Sequence, residues 1–260
     1  MGQARKQRLA AAEAAHRRSR MYLVWATTGL VVLVIAGATG LLISRINDSA
    51  APAAANSQAQ AAADRNAPPA LVSAANAIGF HTSTEPGVGL IEDKPAGDAS
   101  PSTNANLLKP GTTAPAFTLK TPEGQTVSLS DFRGKAVLLE FFATWCPHCQ
   151  AEAPHLAKLA RELAPKKVAF VSVNADSEDA ASVFAFHRYF ALPYPALLDS
   201  GQPAGSFTSQ GGSGPVTSAY HLASYPTMYV ITPSGKVAWA SDGEQPDALL
   251  RQQLLHAAAQ

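Results

Sequence analysis

The sequence predicts an α/β domain with a mixed sheet, preceded by a long segment of different character. Three observations carry that prediction. From about residue 110 onward, apolar runs of strand length alternate with stretches of helical period. Two further apolar runs near the C-terminus, Met228 to Ile231 and Lys236 to Trp239, are separated by a Pro233-Ser234-Gly235 turn, which adds antiparallel strands to parallel ones. The first hundred residues, by contrast, hold a basic cluster, an apolar run and an Ala/Pro-rich stretch.

Within the domain each element has its own signal. Phe117-Thr118-Leu119 and Val127-Ser128-Leu129 flank Pro122-Glu123-Gly124 and predict an N-terminal hairpin. Ala136 to Ala143 is almost continuously apolar and predicts a buried central strand. Leu156, Leu159, Ala160 and Leu163 recur at helical spacing, ending near Ala164-Pro165. Val168 to Val173 predicts a second buried strand, Ala180 to Phe190 a helix, and Ala196 to Leu198 a short strand. A last helix is expected from about Pro246 to Ala258, with Leu249, Leu250, Leu254 and Leu255 on its apolar side.

The amino terminus reads as a membrane anchor. Arg5, Lys6, Arg8, Arg17, Arg18 and Arg20 crowd the start, and no charge occurs from Tyr22 to Ser44. A helix of that length spans roughly 35 Å, enough to cross a bilayer with some tilt. The basic flank belongs on the cytoplasmic side, which puts the rest outside. The alternative is a cleaved signal peptide, whose apolar region is shorter, about 7–15 residues. The expected organisation is a cytoplasmic start (1–21), a transmembrane helix (22–44), an Ala/Pro-rich linker (45–106) and a folded domain (107–260). One apolar island, Ala70 to Phe80, interrupts the linker; it is either a helix that docks on the domain or a partner, or a patch in a loose segment. A net charge of +1 gives no electrostatic case for nucleic acid, and the basic cluster beside a membrane span is read as topology, not as a nucleic-acid patch.

The only two cysteines, Cys146 and Cys149, stand in Trp145-Cys146-Pro147-His148-Cys149. So short a loop removes little unfolded-state entropy, so the pair is a poor staple and a good redox switch. Half a zinc site is the competing reading, but no second cysteine pair exists and His148 is poorly placed to share a metal with both sulfurs. No metal is expected, and no cofactor beyond the redox-active disulfide itself. Cys146 falls where strand gives way to helix, so free N–H groups and the positive end of the helix dipole lower its proton affinity. Cys146 is therefore the expected attacker and Cys149, one turn deeper, the resolving thiol. Pro147 suits the first helical turn.

Two further residues are candidates for catalysis. His148 is read as a partial positive charge and donor beside the Cys146 sulfur, the alternative being an ordinary surface histidine. Glu140 is a carboxyl inside an apolar strand, on the same face as Phe142. If buried, it has a raised pKa and suits a proton acceptor for Cys149; the alternative is an edge position reaching solvent.

These residues carry a family resemblance. Leu138-Leu139-Glu140-Phe141-Phe142-Ala143-Thr144 followed by the cysteine motif, Pro154 eight residues after Cys146, Tyr225-Pro226-Thr227 before an apolar strand, and Gly243 before the last helix resemble the thioredoxin superfamily. The lead-in Ala114 to Leu119 and the stretch Val127 to Lys135 are similar to its membrane-anchored TlpA/ResA branch, whose annotation overlaps the thiol-specific antioxidant (peroxiredoxin-like) domain. The resemblance covers about Leu107 to the C-terminus and implies a thioredoxin-like fold: a mixed central sheet flanked by helices, with an N-terminal hairpin extension. It implies that Tyr225-Pro226 is a cis bond beside the cysteines, and that Trp145, Tyr225 and Pro226 meet the substrate. Two features depart from the branch. The Pro147-His148 dipeptide is similar to oxidising DsbA-type proteins, and the stretch Ser200 to Pro215 is longer and richer in glycine than usual. That stretch either gates substrates or is a tolerated surface insertion.

The expected function is an extracytoplasmic, membrane-tethered protein-disulfide oxidoreductase of bacterial type. Its partners would be client proteins with thiols or disulfides, a membrane redox partner, and the bilayer itself. Three alternatives stand beside it: a reductant for cytochrome c maturation, a thiol-specific antioxidant, and a non-catalytic tethered binding module. Peroxide reduction fits least well, because Thr144 lies two residues before Cys146 where a peroxiredoxin motif has three, and Leu139 replaces its proline.

Overall fold

In chain order the secondary-structure elements are α1 (Pro69–Ile78), β1 (Thr118–Lys120), β2 (Thr126–Ser128), β3 (Ala136–Phe142), α2 (Pro147–Leu163), β4 (Val168–Asn174), α3 (Ala180–Phe190), β5 (Ala196–Leu198), α4 (Pro215–Ala219), β6 (Thr227–Ile231), β7 (Val237–Asp242) and α5 (Asp247–Ala258). The computed structural model describes residues 66–82, 106–200 and 214–260. The expected basic start, the membrane span and residues 201–213 of the glycine-rich stretch lie outside them. Among the described residues no helix is long and apolar enough to cross a membrane.

The seven strands form one sheet in the order β2-β1-β5-β4-β3-β6-β7. Pairing is parallel for β3 with β4 and β4 with β5, and antiparallel for the two hairpins, for β1 with β5 and for β3 with β6. This is the predicted mixed sheet, with the hairpin β1–β2 added at one edge. β3 is buried along its whole length, as a strand with layers on both faces must be. Its alternation divides the core. Val137, Leu139 and Phe141 join Val171, Val173, Tyr220 and Tyr229 on one face. Ala136 and Leu138 join Leu156, Leu159, Leu163, Leu250 and Leu254 on the other, where α2 and α5 cover the sheet. β7 runs to Asp242, past the expected end at Trp239, because its pairing with β6 continues from Trp239 to Asp242.

The island in the expected linker is α1, and it docks. Ala67 and Ala75 are buried against Phe184 and Ala185 of α3. Gly79 ends the helix in the left-handed region (φ 54°), which turns Phe80 back onto α3. There the Phe80 ring centroid lies 5.6 Å from Phe186, 5.4 Å from Tyr189 and 6.2 Å from Phe190. Arg188 adds a hydrogen bond from Nη1 to Asn76 Oδ1 at 2.9 Å.

The ends of the glycine-rich stretch are pinned together. Buried Asp199 accepts hydrogen bonds from Thr217 N and Thr217 Oγ1, both at 2.6 Å. Gly214 passes so close that a Cβ there would lie 2.1 Å from Asp199 Cγ, so no other residue fits without displacing the Asp199 carboxylate or the backbone.

Candidate active site

β3 ends at Phe142 and delivers Ala143, Thr144 and Trp145 to the start of α2. Cys146 is the N-cap of that helix, with extended backbone (φ −71°, ψ 118°), and Pro147 occupies the first helical position. The Cys146 sulfur takes the place of a capping oxygen: it accepts the Cys149 N–H at 3.5 Å. Both cysteines are free thiols, and both are buried, Cys146 at 4 % exposure and Cys149 at 0 %. The attacker expected to be the more accessible is thus only marginally so.

A polar network that the sequence reading missed fixes the turn. The Glu178 carboxylate accepts from Thr144 N at 2.7 Å, from the Thr144 hydroxyl, and from Asn174 Nδ2 at 2.6 Å. Gln150 Nε2 donates to Thr144 O at 2.8 Å. Trp145 Nε1 donates to Asp176 Oδ2 at 2.7 Å, which holds the indole in place while leaving it 52 % exposed. Its ring meets Tyr225 edge to face at 6.0 Å. The Tyr225–Pro226 bond is cis, as the resemblance implied. The Tyr225 carbonyl faces the Cys146 thiol at 3.8 Å, and the Tyr225 hydroxyl is tied to Ala175 O at 3.0 Å. The structure therefore brings Trp145, Tyr225 and Pro226 to the Cys146 sulfur.

The two thiols differ in proton affinity. Cys146 is lowered to about 7. The leading cause is the Cys149 thiol donating to its sulfur; backbone N–H groups of Cys149 and His148 add to this, and the His148 charge contributes least, all against the cost of burial. Burial pushes Cys149 well up, and the neighbouring Cys146 and Glu140 push the same way.

Glu140 is buried at 3 % exposure, so the alternative of a solvent-reaching edge position is excluded. Desolvation, then the nearby Cys146, raise it to about 8. A second buried carboxyl went unforeseen. Glu152 is 3 % exposed, and its pKa is raised by burial and by Glu140. One of its oxygens accepts Gln245 N at 3.2 Å and the other has no hydrogen-bond partner. Its signal was available: an acid three residues after Cys149 and four before Leu156 falls on the buried face of α2.

The His148 charge acts to lower the proton affinity of Cys146, though as the smallest cause, and its side chain has a partner that was not expected. Its ring is half in solvent, and Nδ1 donates to Glu244 Oε1 at 2.5 Å. No periodicity or spacing in the sequence points to Glu244, which is ninety-six residues away. Among the described residues no group of His, Cys, Asp and Glu is arranged to hold a metal ion.

Such a site can exchange thiols and disulfides: an acidified sulfur at a helix start, a protonated sulfur one turn below it, and a buried carboxyl that interacts electrostatically with both. Comparison with known proteins agrees. Residues 110–240 match the AhpC/TSA family. The chain is 37 % identical to the thioredoxin-like protein YneN of Bacillus subtilis over 132 residues, covering 50 % of this chain and 69 % of that protein. It is 31 % identical to the thiol-disulfide oxidoreductase ResA of Bacillus thuringiensis over 152 residues, covering 58 % of this chain and 80 % of that protein. Among solved structures, one described as a putative thiol:disulfide interchange protein DsbE from Chlorobium tepidum is similar at 29 % identity and a TM-score of 0.49, over 58 % of this chain and 99 % of that one.

Proposed function

From the premise that the chain belongs to the AhpC/TSA family and is a protein-disulfide oxidoreductase, we propose that Cys146 and Cys149 exchange a disulfide with client proteins outside the cytoplasm, and that residues 22–44 tether the domain to a membrane. The single observation that carries the chemistry is the pair of sulfurs, one turn apart, with opposite shifts in proton affinity.

In the reducing direction the Cys146 thiolate attacks a client disulfide. One client sulfur bonds to Cys146 and the other leaves as a thiolate. Cys149 passes its proton to the ionised, carboxylate form of Glu140 and attacks Cys146, closing the enzyme disulfide and releasing the second client thiolate. The client is reduced by two electrons and the enzyme oxidised by two. Run backward, the same steps oxidise a client dithiol. Trp145 and the backbone at Tyr225, beside the sulfur, offer an extended client chain an apolar face and main-chain hydrogen bonds.

The Pro147-His148 dipeptide, similar to that of oxidising DsbA-type proteins, leads us to expect a reduction potential clearly above thioredoxin's, which is about −270 mV. Titration against glutathione measures it; a value near thioredoxin's refutes the oxidising tendency. Client exchange is tested with Cys149→Ala, which should accumulate mixed disulfides at Cys146. Their absence, with Cys146→Ser retaining the cellular role, would favour the binding-module alternative. Retention of the domain with membranes after carbonate washing, lost on deletion of residues 1–44, tests the tether.

A further inference from the structure

We propose that Glu244 is a positioning residue for the exchange reaction: it holds His148 at the mouth of the site and offsets its charge, and so limits how strongly the Cys146–Cys149 disulfide oxidises. This deepens the function proposed above and rests on it.

Glu244 is fixed from both sides. Gly243, at φ 76°, donates its N–H to the carbonyl of Pro226 at 2.7 Å, which ties the turn to the loop beside Cys146. Gln245 donates its N–H to buried Glu152 of α2 at 3.2 Å, which ties the same turn to the helix that carries both cysteines. The Gln245 side chain closes the turn by donating to the carbonyls of Asp242 and Gly243, each at 3.2 Å. Between these anchors the Glu244 side chain is only 8 % exposed, and it accepts from His148 Nδ1 at 2.5 Å. A half-exposed histidine would otherwise sample several rotamers; here it is held to one carboxylate.

The electrostatic consequence follows from the sum of the charges. A lone imidazolium beside Cys146 favours its thiolate, and hence the reduced protein. Paired with a carboxylate, the same ring presents a dipole instead of a full charge, and its pull on the sulfur weakens. That accords with the small share of the His148 charge among the causes that acidify Cys146. Other titratable or charged groups on the elements packed here are Glu140 of β3, Glu152, His155 and Lys158 of α2, Asp242 of β7 and Asp247 of α5, and further along the two helices Glu162 pairs with Arg251. Glu244 acts electrostatically on Glu152 as well, so its charge is felt on both sides of the helix start.

The test is a double-mutant cycle on the equilibrium in which the enzyme disulfide and two glutathione thiols give the enzyme dithiol and one glutathione disulfide. It uses the full chain with Glu244→Gln, His148→Ala and both together. Glu244→Gln keeps the hydrogen bond's shape and removes the charge. It should shift the equilibrium toward the reduced enzyme by about threefold to tenfold, the latter being ~30 mV for two electrons. In the His148→Ala background the same change should move it by less than half as much on a logarithmic scale. A merely structural role would change melting behaviour and leave the potential unmoved. An unchanged or lowered potential in Glu244→Gln, or an equal shift in both backgrounds, overturns the inference while leaving the proposed function standing. Failure of the wild-type chain to equilibrate with glutathione at all would overturn both.

Discussion

Cys146 and Cys149 are the same residue type three positions apart, and their environments drive them in opposite directions. Cys146 caps a helix and collects donors: the neighbouring thiol, then backbone N–H groups. Cys149 lies one turn inside, fully buried, with a carboxyl and a forming thiolate nearby, so its charged form is disfavoured on every count except one backbone hydrogen bond. Burial raises both, and is the largest cause at Cys149, but at Cys146 it is outweighed by hydrogen-bond donors. The difference comes from which sulfur has donors aimed at it. A disulfide exchanger needs this inequality, because one sulfur must leave readily and the other must wait for its proton to be removed.

The largest effect should come from collapsing the pair. Cys146→Ser is expected to lower client exchange by on the order of 10⁴-fold, whereas Cys149→Ala should still form, and then hold, the mixed disulfide. Stopped-flow measurement on a model disulfide substrate separates the two. Equal loss in both variants, without a trapped intermediate, would contradict the division of labour.

Next in size is the step that activates Cys149. Glu140→Gln removes the proposed proton acceptor and should slow resolution of the mixed disulfide by about 100-fold at pH values of about 8 and above, where the carboxylate is populated, with little effect on the first attack. The same variant has a signature in stability. Glu140 is raised from 4.5 to about 8, so the folded state holds its proton more tightly than the unfolded state. The Glu140 contribution to stability is therefore fully present below pH 4.5 and is lost as pH rises through about 8. In the oxidised protein, where neither sulfur titrates and burial alone raises Glu140, the advantage of Glu140→Gln should grow as pH rises above 4.5 by up to about 1.4 kcal/mol per pH unit. Denaturant melts at several pH values measure it; a pH-independent difference would mean that Glu140 is not held protonated by burial.

The smallest expected effect sharpens the comparison by leaving it alone. Phe80 anchors α1 to α3, and Phe186 of α3 belongs to the cluster around both cysteines. Phe80→Ala should cost about 1–2 kcal/mol, less than a fully buried phenylalanine because the ring is only partly covered. It should not change the acidity of Cys146, because every group that lowers it lies within its own helix start. A shifted Cys146 titration in this variant would show that the docked helix tunes the site.

Much of this was legible in the chain itself. β3, α3 and β5 lie where apolar runs and helical period placed them, because each is long or well bounded by turn residues. The hairpin followed from Pro122-Glu123-Gly124, and the cysteine pair, Glu140 and Pro226 from motif and pattern. What stayed hidden was long-range polar contact. Glu178 and Asp176 steady the turn before Cys146 from a different loop, and Glu244 reaches His148 from the far end of the sheet. Nothing local distinguishes such acids from solvated ones. Glu152 is the instructive miss, since its place on the helix face was computable and only its charge argued against burial. The docking of α1 could not be decided from its own residues, because its partner is the aromatic surface of α3.

The most direct measurement is the pH dependence of Cys146 alkylation in the reduced protein, followed by mass-resolved labelling so that Cys149 is counted separately. The account predicts a single midpoint near 7 for Cys146, with Cys149 unreactive until well above it. A midpoint near about 8.5, where free cysteine ionises, or equal labelling of the two thiols, would contradict it.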